Sequence, residues 1–418
     1  MSRFANILVL LLAGAFFAYV HSNVTVKMLL DQHQLGKPIV LMDVGWLHSA
    51  ATLAVAGKSP YDPANIAALP RDTGLPDVLV YPPVMLAPLL PLGGLSLGQA
   101  TIVIAALNFL ALVGIFYLLT TRFVLRLPHP AMQVLALAIL FGFASLAQSY
   151  KSGNPLLLAV ALLLVGWCRA EEGDRGFLTG LVLGLATLLK PHFAFLFLAP
   201  LLAREWRCLA GGAVSLVAAL LAVHAVLPLD VWAQYLARVG GAAFSVEAGF
   251  SYASIGKAWN QSIPGVLAKL AGQATAPKLA GYLACLAVLG TSAIAIGRAR
   301  RDEATYWGLS FSVALLAAFL VMPVSWVSYF AFLVIPALWL WRYLATLPAL
   351  RQAALAVVIG LTAALALPFP HILSVYQTPW VYAWPVLLPL ALWAIAIWLA
   401  MAGPRPAGAA DAAGRSGT

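Results

Sequence analysis

The chain has 418 residues, 63% of them hydrophobic and only 9% charged, with a formal net charge of +10. Soluble domains run near 45–50% apolar and about 25% charged, which excludes a water-soluble enzyme and predicts an all-α integral membrane protein. The basic excess would suggest nucleic acid in a soluble protein; here it reads as the arginine bias of cytoplasmic loops, and no nucleic-acid partner is expected.

A spanning helix needs ~20 mostly apolar residues. The first apolar run, 4–21, follows Arg3 and lacks a small-x-small cleavage site, so it is expected to stay as a span rather than be removed as a signal peptide. Further spans are predicted near 99–121, 131–149, 154–168, 176–190, 193–203, 207–228, 278–297, 304–322, 326–345, 351–369 and 380–402, giving about twelve. Segment 81–96 is apolar but carries Pro82, Pro83, Pro88 and Pro91, which break helical hydrogen bonding. As an interfacial or re-entrant piece it lets the arginine clusters share one side, from Arg3, Arg122 and Arg126 through Arg169 and Arg175 to Arg342 and Arg351. The other side takes all the lysines, spread among acids. The positive-inside rule then places both termini in the cytoplasm and makes 22–98 and 229–277 two large external loops. Residues 1–403 form one polytopic domain, and the Gly- and Ala-rich stretch 404–418 reads as a disordered cytoplasmic tail. No internal repeat is evident. Cys168, Cys208 and Cys285 lack paired or metal-ligand spacing, so neither a disulfide nor a cysteine metal site is expected.

Within the first external loop, Asp43 follows "IVLM" and precedes Trp46, Leu47, Ala50, Ala51, Leu53 and Ala54. That spacing predicts a helix lying along the membrane surface with one apolar face. A carboxylate at its start is favoured by the helix dipole and sits at headgroup depth, which makes Asp43 the candidate base; a solvated loop carboxylate is the competing reading. In "GKSPYDP" (57–63), Tyr61 suits an interfacial anchor or a ligand contact, and Asp62 before Pro63 suits turn chemistry. Tyr81, in "VYPP", serves either as anchor or as site wall.

Lys190 ends an apolar helix before Pro191 and His192. It either snorkels to the interface or holds a phosphate just below the external surface. His192 is an interfacial hydrogen-bonder or a site contact. The "SYKSGNP" turn puts Lys151 and Asn154 on the same external side, and "SYASIGKAWNQS" offers Lys257, Trp259, Asn260 and Gln261 for a phosphate and sugar hydroxyls. Trp326 and Tyr329, in "MPVSWVSY", suit an aromatic belt or sugar stacking. There is no Asp-x-Asp pair, Gly-rich phosphate loop or His/Cys cluster, so neither a metal nor another cofactor is expected.

In order and spacing these pieces resemble glycosyltransferase family 87, integral membrane hexosyltransferases of GT-C type fold. The matching stretches are Asp43 with "AATLAVAGKSPYDP", "YPPVMLAPLLPL", the Gly153-Asn154 turn, "GLVLGLATLLKP", "WNQS" and "PVSW", running from about residue 43 to 330. The resemblance implies transfer of a sugar, usually mannose, from a polyprenyl phosphate to a lipid or glycan acceptor on the outer face of the plasma membrane. It makes Asp43 the counterpart of the family's loop aspartate. Two departures stand out: Gly153-Asn154 where the family often has Gly-Gln, and Ser328 where it often has a histidine.

A single carboxylate fits that chemistry. Glycoside hydrolysis takes two carboxyl groups, one to protonate the leaving oxygen, whereas a phosphate leaves as a stable anion and needs no acid. What remains is a base for the acceptor hydroxyl, with Lys190 and Lys257 as cations for the departing phosphate and inversion at the anomeric carbon. A transporter or flippase is the rival reading. Such proteins place substrate groups near the bilayer midplane, whereas the polar residues here cluster at external helix ends.

Overall fold

The computed structural model describes residues 42–69, 81–237, 260–271, 275–299, 305–347, 352–367 and 384–402. The expected first span, Lys257, Trp259 and the 404–418 tail lie outside them. The described chain is helical, and its one β-type pairing is an isolated antiparallel bridge between Asn260 and Trp326.

Among the described residues, four segments, Leu97–Arg126, Pro130–Ser152, Trp206–His224 and Ala276–Arg298, are long and apolar enough to cross a membrane. Seven shorter apolar helices accompany them, so the expected total of twelve spans is not established. The Leu97–Arg122 helix begins at a reciprocal capping box, with the Gln99 N–H donating to Ser96 Oγ (3.3 Å) and the Ser96 N–H to Gln99 Oε1 (2.9 Å). Its outer face leaves Ile102 70% and Leu110 64% exposed, and Leu221 and Leu286 are similarly bare on their helices. Contiguous apolar surface of this kind fits a lipid neighbour rather than water. The two most enclosed helices are Tyr306–Val321 and Phe330–Leu344, apolar around nearly their whole circumference and buried likewise.

Several expectations change. The expected span 131–149 falls within Pro130–Ser152 but is broken at Gly142 and Phe143 into the helices Pro130–Phe141 and Ala144–Ser152. Segment 81–96 contains a 3-10 helix, Pro83–Gly94, which keeps its prolines and buries Met85, Leu86, Leu89 and Leu92. At a rise of about 2.0 Å per residue it is ~24 Å long, short of the ~30 Å hydrocarbon core. The helix predicted on the membrane surface, Met42–Val55, is instead enclosed by protein. Val44, Leu47, Ala50, Ala51, Leu53 and Ala54 are all buried, so no wide polar face looks outward. It packs on Pro83–Gly94 so closely that a Cβ on Gly93 would lie 2.5 Å from the Ala51 carbonyl oxygen.

Of the arginines, Arg122, Arg169 and Arg342 do share one end of the bundle. The Arg342 guanidinium bonds Glu171 (2.7 Å) and the Arg122 carbonyl (2.9 Å), Trp339 Nε1 donates to the same carboxylate, and Arg122 and Arg169 pair with Glu172 and Asp174. Leu156–Glu171, Phe177–Leu189 and Phe330–Leu344 each run between this end and the other, where Asn154, Lys190 and Tyr329 lie. At 1.5 Å per residue the separation is on the order of 20 Å.

Candidate active site

Asp43 lies in the first turn of Met42–Val55, where the helix dipole favours an anion, and it is 8% exposed. Its Oδ2 accepts a hydrogen bond from Asn154 Nδ2 at 2.8 Å. Burial raises the Asp43 pKa above the ordinary carboxylate value; hydrogen bonds from Asn154 and Ser152 and the nearby Lys190 charge pull back against it. The net upward direction suits a carboxylate that must accept a proton near neutral pH.

Asn154 reaches Asp43 because of the turn before it. Ala144–Ser152 ends at Gly153 in the left-handed conformation (φ 71°), with the Gly153 N–H bonded to Tyr150 O (3.1 Å) and the Asn154 N–H to Ser149 O (3.2 Å). This paired closure is the Schellman motif, and glycine adopts the left-handed conformation without a Cβ penalty. Lys151, one turn earlier, is exposed and takes no part.

Lys190 comes from a different direction. Pro191 disfavours helix at the residue before it, and Lys190 is extended (φ −148°, ψ 99°), closing Phe177–Leu189. Its side chain turns inward rather than snorkelling. It is 3% exposed, and Nζ lies 3.3 Å from the centroid of the Tyr329 ring. A cation over an aromatic face in a desolvated setting gains about 2 kcal/mol. Asp43 and Lys190 belong to none of the ion pairs found among the described residues; they influence each other through space.

Tyr81 and Tyr329 wall the same space. Tyr81 is half-buried; burial first, then the Asp43 charge, raises its pKa, while the Asn154 amide nearby pulls back against the rise. Its backbone carbonyl accepts from the Tyr61 hydroxyl at 2.6 Å. Tyr61, 1% exposed and edge-on to Tyr235, is therefore a strut inside the protein and neither an interfacial anchor nor a ligand contact. Asp62 does perform turn chemistry, accepting from the Ala64 N–H (2.9 Å) at the cap of Pro63–Ala67.

His192 stands behind Tyr329, its ring edge-on at 5.2 Å, with Nε2 3.2 Å from the Val324 carbonyl and 3.3 Å from Ser325 Oγ. The 323–326 strip is held from its other side by Asn260. Asn260 Nδ2 donates to Pro323 O (2.8 Å), while its Oδ1 accepts from the Ser262 N–H (3.1 Å) and the Ser325 N–H (2.9 Å). The Gln261 N–H bonds Ser325 O at 2.7 Å, and Trp326 bridges Asn260. Asn260 and Gln261 are fully enclosed, so in this arrangement they brace the loop that carries Tyr329.

Of the sequence candidates, then, Asp43, Tyr81, Asn154, Lys190, Tyr329 and His192 converge from separate parts of the chain, while Asn260, Gln261 and Trp326 form the layer behind. Sequence reasoning missed three contributors. Ser152 stands near enough to Asp43 to favour its charged form, Ser325 meets both His192 and Asn260, and Asn108, 1% exposed, donates from Nδ2 to Asn154 O at 3.1 Å. A buried amide inside a 26-residue apolar helix was the available signal for Asn108.

The family description "glycosyltransferase family 87" matches residues 79–323. An alpha-(1->3)-arabinofuranosyltransferase of Corynebacterium glutamicum is 28% identical over 239 residues, covering 55% of this chain and 52% of that protein. Its namesake in Mycobacterium tuberculosis (strain H37Rv) is 30% identical over 137 residues, 32% of this chain and 31% of that protein. The chain thus matches about half the length, or less, of these curated relatives.

Proposed function

Since the chain belongs to glycosyltransferase family 87, we propose that it transfers a glycosyl group from a polyprenyl-phosphate donor to a lipid or glycan acceptor, with inversion and with Asp43 as general base. The acceptor hydroxyl loses its proton to the Asp43 carboxylate as its oxygen bonds to the anomeric carbon. The bond from that carbon to the phosphate oxygen breaks on the opposite face, and the electron pair leaves with the polyprenyl phosphate. Lys190 lies where a cation can steady that anion, and a fixed charge of this kind acts without reorganisation at the moment of transfer. A positioned base contributes about 10²–10⁴-fold.

The observation that carries this reading is the juxtaposition of one buried aspartate with one buried lysine, walled by two tyrosines. No metal is called for, because the lysine supplies the charge. In this reading the reaction takes place on the periplasmic or extracellular face of the plasma membrane, with both termini cytoplasmic; the position of Asp43 and Lys190 away from the Arg122, Arg169 and Arg342 end supports it.

Two sugars have support. The family resemblance points to a hexose, mannose, while the curated relatives are named for arabinofuranosyl transfer. The test is to incubate purified protein with radiolabelled polyprenyl-phosphate mannose or polyprenyl-phosphate arabinofuranose and a lipid extract. A labelled product from wild type and none from Asp43→Asn is expected with one donor. Equal product from both proteins removes Asp43 as base, and no turnover of any lipid-linked sugar shifts the weight to transport.

A further inference from the structure

Asn154 carries more hydrogen bonds than a substrate contact needs. Its backbone is fixed by the Gly153 closure, and its carbonyl accepts from Asn108 Nδ2 at 3.1 Å. Its side-chain Oδ1 accepts from the Leu156 N–H at 2.9 Å. A backbone N–H can only donate, so this bond identifies the oxygen end and leaves the NH2 end facing Asp43, where it donates to Oδ2 at 2.8 Å. Both ends of the Asn154 side chain are thereby engaged within the protein, the NH2 on Asp43 and the oxygen on Leu156.

We infer that Asn154, held in place by Asn108, is a positioning residue for the base: it pins one oxygen of Asp43 and so presents the other to the acceptor hydroxyl. The inference rests on the reading of Asp43 as base. The chain of contacts joins three segments far apart in sequence, Leu97–Arg122, the 153–155 turn and Met42–Val55. It connects a polar group deep in an apolar helix to the carboxylate without touching the reacting atoms. A misplacement of ~1 Å in such a system costs on the order of 10²-fold in rate.

The charged and titratable groups around Asp43 are Lys190 after Phe177–Leu189, Tyr81 before Pro83–Gly94 and Tyr329 before Phe330–Leu344. All three stay in place when Asn154 or Asn108 is replaced, so a change in Asp43 titration reports on the amide. The full-length protein is compared with Asn154→Ala, Asn154→Asp and Asn108→Leu, the last an apolar replacement in an apolar helix that keeps the fold. Two readouts are taken: the pH profile of kcat and KM with polyprenyl-phosphate sugar, and the Asp43 carboxyl titration by 13C NMR, assigned by its loss in Asp43→Asn.

Asn154→Ala is expected to lower kcat about 10- to 100-fold with donor KM little changed. It should also move the acid limb of the profile and the carboxyl titration to higher pH, because a bond favouring the carboxylate is gone. Asn108→Leu should do the same more weakly, and Asn154→Asp more strongly. A raised donor KM with kcat intact would make Asn154 a donor contact and overturn the inference. So would a lowered kcat with an unmoved acid limb and carboxyl titration. Should the wild type transfer no sugar, the proposed function fails, while an upward carboxyl shift in Asn154→Ala still supports the amide's hold on Asp43 and its absence still refutes it.

Discussion

Replacing Lys190 by methionine tests the electrostatic half of the site. Methionine keeps the length and the apolar stem of the side chain and removes only the ammonium. A unit charge about 4 Å from an anion is worth ~4 kcal/mol at an effective dielectric of 20. Loss of one preorganised donor at a developing charge elsewhere costs about 10²–10³-fold in kcat, or ~2.7–4 kcal/mol. The two figures agree, so Lys190→Met is expected to lower kcat by about 10²–10³-fold.

Stability should move little or upward. An ammonium 3% exposed loses several kcal/mol of hydration, and the Tyr329 face returns about 2 kcal/mol of it. The variant also removes a positive charge that favours ionised Asp43, so the acid limb of the rate profile should shift to higher pH. The assay is turnover of polyprenyl-phosphate sugar at saturating donor, with Lys58→Met as the control because Lys58 is exposed. Turnover of Lys190→Met close to that of the control would refute a role at the leaving phosphate.

Asp43→Asn should abolish transfer and also stabilise the fold at neutral pH, measured as Tm in detergent. Burial raises the folded pKa of Asp43, so between the ordinary carboxylate value and that raised value the native state holds a proton the unfolded chain has lost. Stability therefore falls as pH rises through this window, and asparagine removes the fall. Asn260→Ala should lower stability by about 2–4 kcal/mol, because it strands the buried Ser262 and Ser325 N–H groups; an unchanged Tm would contradict the brace. Arg342→Leu should cost about 3 kcal/mol by leaving Glu171 without its cation, with turnover per folded molecule retained since this cluster lies at the far end of the bundle.

The sequence alone determined the membrane class, anticipated the common end of Arg122, Arg169 and Arg342, and named Asp43 and Lys190 as candidates. These follow from composition, from the cost of unsatisfied backbone in lipid and from the expense of charges in apolar runs, all local properties. It did not determine that Met42–Val55 is buried rather than surface-lying. A helix rich in Ala, Val and Leu fits either a lipid boundary or a protein interior, and only the packing of Pro83–Gly94 and Leu97–Arg122 against it decides. Nor could it separate Asn154 from Asn260. Both are asparagines near helix ends, yet one bonds the carboxylate and the other braces a loop, because hydrogen-bond partners 63 to 111 residues away in sequence are set only by tertiary contact. Tyr61 and Lys190 teach the same lesson: whether an amphipathic side chain reaches outward or inward depends on which neighbours complete its polar end, and those neighbours arrive from other parts of the fold.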